Sequence, residues 1–151
     1  MDAQSNALDA LGLRMAEATP QAAALGLRVV SVEPGVAVMA VAHRPDLVGD
    51  PETEVLAGGV VTTLLDHVCG LAVGSALIEH APMGPIATLD LRIDYMRPAE
   101  PGREVLARAH CYKLTHSIAF VRASAFDGDE ADPVATVQAA FALKTGPEAP
   151  K

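Results

Sequence analysis

Asp66 stands inside the run Val60-Val61-Thr62-Thr63-Leu64-Leu65-Asp66-His67-Val68. A carboxylate in such company is costly unless it is paired, reached by water from a cleft, or used. Eight residues earlier, Gly58-Gly59 opens the same run. If the run is a helix, its first amides have no acceptor within it, so its start attracts partial or full negative charge, and glycine there lets a ligand approach the backbone. An acid and a set of backbone donors together suit attack on a carbonyl. The plainer readings are a flexible entry to a packed helix and a carboxylate that caps a neighbouring loop. His67 points about 100° away from Asp66 around a helix, so it reads as a helix-flank or subunit-contact histidine rather than as a partner of that acid. Eight residues span about 12 Å of helix, too far for Gly58 and Asp66 of one chain to touch one reacting carbonyl. The two halves would have to meet across a dimer, the helix start of one subunit polarising a carbonyl while Asp66 of the other attacks it or activates water. A donor of that kind contributes about 100–1000-fold in rate.

These residues need a rigid frame. From Gly58 to Glu79 nearly every face of the run is apolar, the pattern of a buried helix. Residues 5–18 place Leu8, Leu11, Met15 and Ala18 at helical spacing before Pro20, which predicts a short leading helix within residues 1–20. Leu25 to Ala42 is rich in β-branched residues around Glu33-Pro34-Gly35 and predicts a hairpin. Residues 43–56, with two prolines and four acids, predict an exposed connection. After the turn Ala81-Pro82-Met83-Gly84-Pro85, Leu89, Leu91, Ile93 and Tyr95 alternate with Asp90, Arg92 and Asp94, a strand with one wet face. By the same parity Thr88 joins the wet face. Strand-like runs follow at 105–114, 118–126 and 134–143, and the tail 146–151 reads as disordered. The sum is an α+β chain, one domain over 1–151 with its core at about 25–144, in which a curved antiparallel sheet of about six strands wraps one long central helix. One sheet does not close around the helix, so pairing with a second copy through a sheet edge is expected.

Composition narrows the partners. The formal charge of -8, from 11 basic and 19 acidic residues, argues against nucleic acid or an anionic membrane surface. Aromatics are 3% of the chain and Trp is absent, so the interior is built from Val, Leu, Ile and Ala. Cys69 and Cys111 have no disulfide-framework or zinc spacing and read as two buried thiols in a reducing compartment. The N-terminus lacks a basic leader, and the most apolar stretch, Val68 to Ile78, falls short of the ~18–20 residues that cross a bilayer, so a cytoplasmic location is expected. No GxSxG elbow, HExxH or GxGxxG stands in a supporting context.

Over about residues 25–144 the chain resembles the phenylacetate-degradation (PaaI-like) branch of hotdog acyl-CoA thioesterases. Ala57-Gly58-Gly59 through Asp66 is similar to that family's His-Gly-Gly helix opening with its acid seven residues on; Thr88 through Tyr95-Met96-Arg97-Pro98-Ala99 is similar to its strand ending in an aromatic, a variable pair and Pro-Ala; the closing strand pair is the third block. The resemblance implies the hotdog fold, hydrolysis of an acyl-CoA thioester with no metal and no cofactor beyond the substrate's own coenzyme A, and a homodimer or a homotetramer built as a dimer of dimers. It implies that Asp66 is nucleophile or general base, that the Gly58 and Gly59 amides polarise the carbonyl, and that Thr88 helps hold the attacking water, unless it is a plain strand-start threonine. It places the nucleotide near Arg97 and the turn Thr115-His116-Ser117, within a window, 92–122, that carries six cations against three acids. Ala57 departs from the family's His and Asp50-Pro51 from its loop Asn. Ala57 motivates an alternative, an acyl-CoA-binding protein that does not turn over. Hydration of an acyl-CoA would need a His beside Asp66, and His67 is badly angled for that.

Overall fold

The computed structural model describes residues 3–80 and 84–144. The Ala81-Pro82-Met83 part of the expected turn and the tail from Gly146 lie outside the described residues. Helix α1 (Ala3–Gly12) runs into a π-helical turn, Leu13–Glu17. Pro20 then ends that pattern and starts another, α2 (Pro20–Leu25), where its missing N–H is no loss at a first helical position. Strands β1 (Arg28–Glu33) and β2 (Val36–Val41) form the expected hairpin, starting three residues later than the sequence suggested because α2 occupies its first part. Gly35, at φ 78°, makes the turn, and its N–H donates to the buried Ser75 Oγ of the central helix at 3.1 Å.

The stretch 43–56 is more than an exposed connection. A 3₁₀ turn (Pro45–Leu47) precedes a two-stranded ribbon, β3 (Val48–Asp50) with β4 (Val55–Leu56), and both Leu47 and Leu56 are buried. Asp50 organises its tip, accepting from the Glu52 amide and the Thr53 hydroxyl at 3.0 and 2.8 Å. The Thr53 hydroxyl and the Glu52 amide lower the Asp50 carboxyl below its ordinary pKa. Its carboxylate serves the turn.

The long helix α3 (Gly58–Ala76) follows and ends three residues short of Glu79, with Leu77 as its C-cap. Four glycines and the β-branched run Val60 to Thr63 make a poor helix former; burial supplies what propensity does not. Strands β5 (Ile86–Tyr95), β6 (Val105–Leu114), β7 (Ile118–Phe126) and β8 (Ala135–Leu143) complete one antiparallel sheet in the order β1-β2-β6-β7-β8-β5. Residues opposite each other in an antiparallel pair share a face, and the helix-facing rows are short: Ala37, Ala109, Ala123 and Val137 form one, Met39, Ala107, Ala125 and Ala135 the next. Alanine lets the sheet lie close on the helix. This is the hotdog arrangement. Although α3 is 19 residues long with a mean hydropathy of 1.3 over 18 of them, enough by length to cross a bilayer, 67% of that stretch is buried within the protein. It is a core helix.

On its other side α3 meets the N-terminal helices. A Cβ on Gly74 would lie 2.8 Å from Met15 Sδ and 3.4 Å from a Leu11 methyl, so glycine permits that close crossing.

Candidate active site

Asp66 is half-buried on α3, in a stripe with Thr62 one turn before it, rather than surrounded by apolar side chains. The stripe faces the side where the sheet ends, because β5 is an edge strand. Thr88 of β5 donates its hydroxyl proton to Asp66 Oδ1 at 2.8 Å.

That contact overturns the parity expected for Thr88. Thr88 pairs with Phe141 and Asp90 with Ala140, so Leu89 is an extra residue, a β-bulge. The bulge turns Leu89 out, 58% exposed, and puts Thr88 on the face of Phe141, Leu91, Ile93 and Tyr95, toward the helix. Asp90, Arg92 and Asp94 stay on the outer face.

His67 lies on another flank. Its Nδ1 is 2.9 Å from the Thr63 carbonyl oxygen, which only accepts, so Nδ1 carries the proton, and Nε2 meets Thr19 Oγ1 at 3.3 Å. Asp66 and His67 therefore serve different neighbours. Cys69, one turn from Asp66, is fully buried, and burial, then the negative charges of Asp66 and Cys111, push its thiol far above the ordinary range. It is an inert core thiol. Cys111 is half-buried rather than buried, and desolvation raises its pKa as well.

The helix start has no side-chain cap, for Ala57 occupies the N-cap position and offers none. Gly58 and Gly59 are exposed. A Cβ on Gly59 would meet nothing within 4 Å, and neither glycine has a positive φ, so the fold of this chain does not require glycine at 59. Two residues that spacing did not single out complete the locus: the Tyr95 hydroxyl donates to the Gly58 carbonyl oxygen at 2.7 Å, and Thr62 Oγ1 lies 2.6 Å from that hydroxyl and 2.9 Å from the same carbonyl. Thr62 sits four residues after Gly58, where a helical hydroxyl reaches back to the carbonyl. Tyr95 shares the inward parity of Leu91 and Ile93 that the sequence displays, but its reach to Gly58 depends on how β5 lies against α3.

Strand β5 thus touches α3 at two polar points, Thr88 on Asp66 and Tyr95 on Gly58, about 12 Å apart along the helix. The structure does not bring Gly58 and Asp66 of one chain together.

Arg97 follows β5, and its guanidinium is engaged. Nη2 and Nη1 donate to the two carboxylate oxygens of Asp127 at 2.6 and 3.1 Å, and Nη2 also reaches the Asp132 carbonyl oxygen. Asp127, its side chain 3% exposed, accepts a further bond from the Glu100 amide at 2.6 Å. Arg97 chiefly, with that amide, holds the Asp127 carboxyl at about 2. Arg92 pairs with Asp94 and Arg103 with Glu100, while Arg122 lies over the Tyr112 ring at 4.6 Å. The Thr115-His116-Ser117 turn is exposed between β6 and β7, closed by the Ile118 amide donating to Thr115 Oγ1 at 3.0 Å and anchored where the Leu143 amide donates to the Ser117 carbonyl.

Comparison with known proteins places this geometry. The family model of the thioesterase superfamily matches residues 54–134, from β4 through α3 to the start of the last strand. The medium/long-chain acyl-CoA thioesterase YigI of Salmonella typhimurium is 31% identical over 117 residues, which is 71% of this chain and 75% of that protein. Among solved structures, a Pseudomonas aeruginosa protein is 34% identical with a TM-score of 0.81, covering 91% of this chain and 99% of that one. A mutant of the phenylacetic acid degradation protein PaaI from Thermus thermophilus is 30% identical with a TM-score of 0.71, covering 83% of this chain and 100% of that one.

Proposed function

Because the chain belongs to the thioesterase superfamily, we propose that it hydrolyses an acyl-CoA to the free acid and coenzyme A at a site that two subunits share. The observation that carries this reading is the Asp66–Thr88 pair, an acid on the core helix oriented by a hydroxyl that a strand bulge turns toward it. Thr88 gives its proton to Asp66 and keeps lone pairs for a water. Asp66 takes a proton from that water as it attacks the thioester carbon. The oxyanion receives hydrogen bonds from the Gly58 and Gly59 amides, and the tetrahedral adduct collapses with loss of thiolate, a leaving group that needs no strong acid. The step draws on no metal. The acyl-CoA substrate is carried over from the YigI relative, a medium/long-chain acyl-CoA thioesterase.

The open sheet edge supports the shared site. At the β1 edge the Glu17 carboxylate accepts from the Val29 amide at 3.2 Å and takes up a donor that a pairing strand would need. Strand β5 is a ten-residue edge that, beyond its bulge at Leu89, runs in regular register from Asp90 to Tyr95. Antiparallel pairing of β5 with its own copy reverses it, so the Tyr95 and Gly58 end of one protomer lies toward the Thr88 and Asp66 end of the other. Registers centred on Leu91 or Ile93 keep facing residues on one side and set Arg92 opposite an acid of the partner, Asp90 or Asp94.

The test is thiol release from a panel of aliphatic and aromatic acyl-CoAs, followed by subunit mixing. Gly58→Pro removes one amide donor at a first helical position that tolerates proline, and Ala57 at φ -58°, ψ 137° is already in the conformation a following proline favours. Mixed dimers of Asp66→Asn and Gly58→Pro retain one intact site and regain activity. No hydrolysis of any acyl-CoA, with coenzyme A still bound, would instead favour the non-catalytic binder; no recovery in proven mixed dimers would contradict the shared site.

A further inference from the structure

At the helix start, Tyr95, Thr62 and the Gly58 carbonyl form a triangle of short contacts: Tyr95 hydroxyl to Gly58 oxygen 2.7 Å, Thr62 Oγ1 to the same oxygen 2.9 Å, hydroxyl to hydroxyl 2.6 Å. A carbonyl oxygen only accepts, and each hydroxyl has one proton. Two protons serve three contacts, and every arrangement in which the two hydroxyls are themselves bonded sends one proton to Gly58 oxygen. That oxygen and the Gly59 N–H belong to one resonant peptide unit. A proton donated to the oxygen draws electron density along the unit and leaves the N–H more positive, the cooperative strengthening seen in hydrogen-bonded chains. The Gly59 N–H has no acceptor within the helix, being in its first turn, and the space beside it is open, since a Cβ there would meet nothing within 4 Å.

We propose that Tyr95, with Thr62 as its relay, is a positioning residue that polarises the Gly58–Gly59 peptide, so that the Gly59 amide is a stronger donor to the thioester oxygen. This rests on the proposed thioesterase reading and deepens it. It also accounts for how the helix start is braced with Ala57 at the N-cap. The bracing comes from the end of the edge strand, through the carbonyl of the same peptide whose amide would act, rather than from a side chain at the cap. Pairing of β5 in a dimer would hold the phenol as well as the strand.

The experiment compares wild type with Tyr95→Phe, both full length, on an acyl-CoA that wild type hydrolyses. The expected result is a fall in kcat of about three- to tenfold with KM within about twofold, a fraction of what a whole oxyanion donor contributes. The Gly59 amide proton, followed by NMR without substrate, moves partway upfield, because Thr62 Oγ1 at 2.9 Å still donates to the Gly58 oxygen, and the double variant Tyr95→Phe with Thr62→Val, which leaves that oxygen no hydroxyl, moves it further. Fluorinated tyrosines at position 95, whose phenols are more acidic, move it downfield and raise kcat in the same order. An active wild type whose kcat and Gly59 resonance are untouched by Tyr95→Phe would overturn the proposal, as would a lowered melting temperature alone. If wild type hydrolyses no thioester, the functional reading falls, and the amide shifts still decide whether Tyr95 polarises the peptide.

Discussion

Replacing Arg97 with alanine removes the only arginine that grips the Asp127 carboxylate among the described residues, and its consequence separates a structural arginine from a phosphate-binding one. Asp127, its side chain 3% exposed, keeps only the Glu100 amide at 2.6 Å once both guanidinium bonds are gone. Its carboxyl is held at about 2 rather than an ordinary 3.8, a gap of roughly 2 units that bounds the loss at about 2.5 kcal/mol, most of it from Arg97 and a smaller share from the Glu100 amide that stays. Leaving a buried carboxylate without its cation is of the same order or larger. At this chain length each kcal/mol moves the melting point by about 2–4 °C, so Arg97→Ala melts about 5–10 °C lower at pH 7. The sign with pH follows from a depressed carboxyl: the stabilisation is complete above about pH 5 and is lost as pH falls from about 4 to about 2, so the two melting curves converge in acid. Calorimetry across that range, with KM for an acyl-CoA measured at pH 7, reads both effects. An unchanged melting point with KM raised tenfold or more would refute the reasoning and return Arg97 to the nucleotide.

Thr88→Val keeps the shape of the side chain but removes the hydroxyl that orients Asp66, and a hydrogen bond to a charged group bounds its effect at about 1.5–3 kcal/mol; kcat falls about 10–100-fold with KM little changed in steady-state assays. Gly59→Ala adds a methyl that meets no atom of its own chain, so chemical denaturation finds stability unchanged or raised by up to about 1 kcal/mol, while kcat/KM drops at least tenfold because the methyl stands where the thioester approaches. Arg92→Glu places like charges across the proposed β5 pair, and sedimentation velocity should show dimers dissociating at concentrations where wild type stays associated, with activity falling in parallel.

The central helix and the six main strands along the chain were legible because their signals are long: a run apolar on most of its faces, and period-2 segments bounded by turns. The bulge was not. Leucine at 89 continues the apolar alternation of Leu91, Ile93 and Tyr95, so the pattern hides the residue that is extra, and Thr88 falls on the wrong face by one step. The hint was an apolar residue exposed on an edge strand beside a polar one, which only the sheet order makes meaningful. Helix α2 and the β3–β4 ribbon escaped because six, three and two residues are too short to display a period. Asp66 and the glycine pair were visible as local anomalies, a charge and a flexible start in one apolar run. Tyr95 and the Arg97–Asp127 pair depend on contacts 37 and 30 residues apart in sequence, and no spacing rule reaches that far.

The most direct measurement is the turnover of Asp66→Asn on the best acyl-CoA in the panel, beside circular dichroism and coenzyme A affinity for the same variant. Asparagine can still accept from Thr88 but cannot take a proton from water or attack a carbonyl. The prediction is a loss in kcat of at least about 1000-fold, roughly 4 kcal/mol of barrier, with fold and coenzyme A binding retained; a variant with near-parental kcat would contradict the assignment of Asp66 as the group that makes this helix an active site.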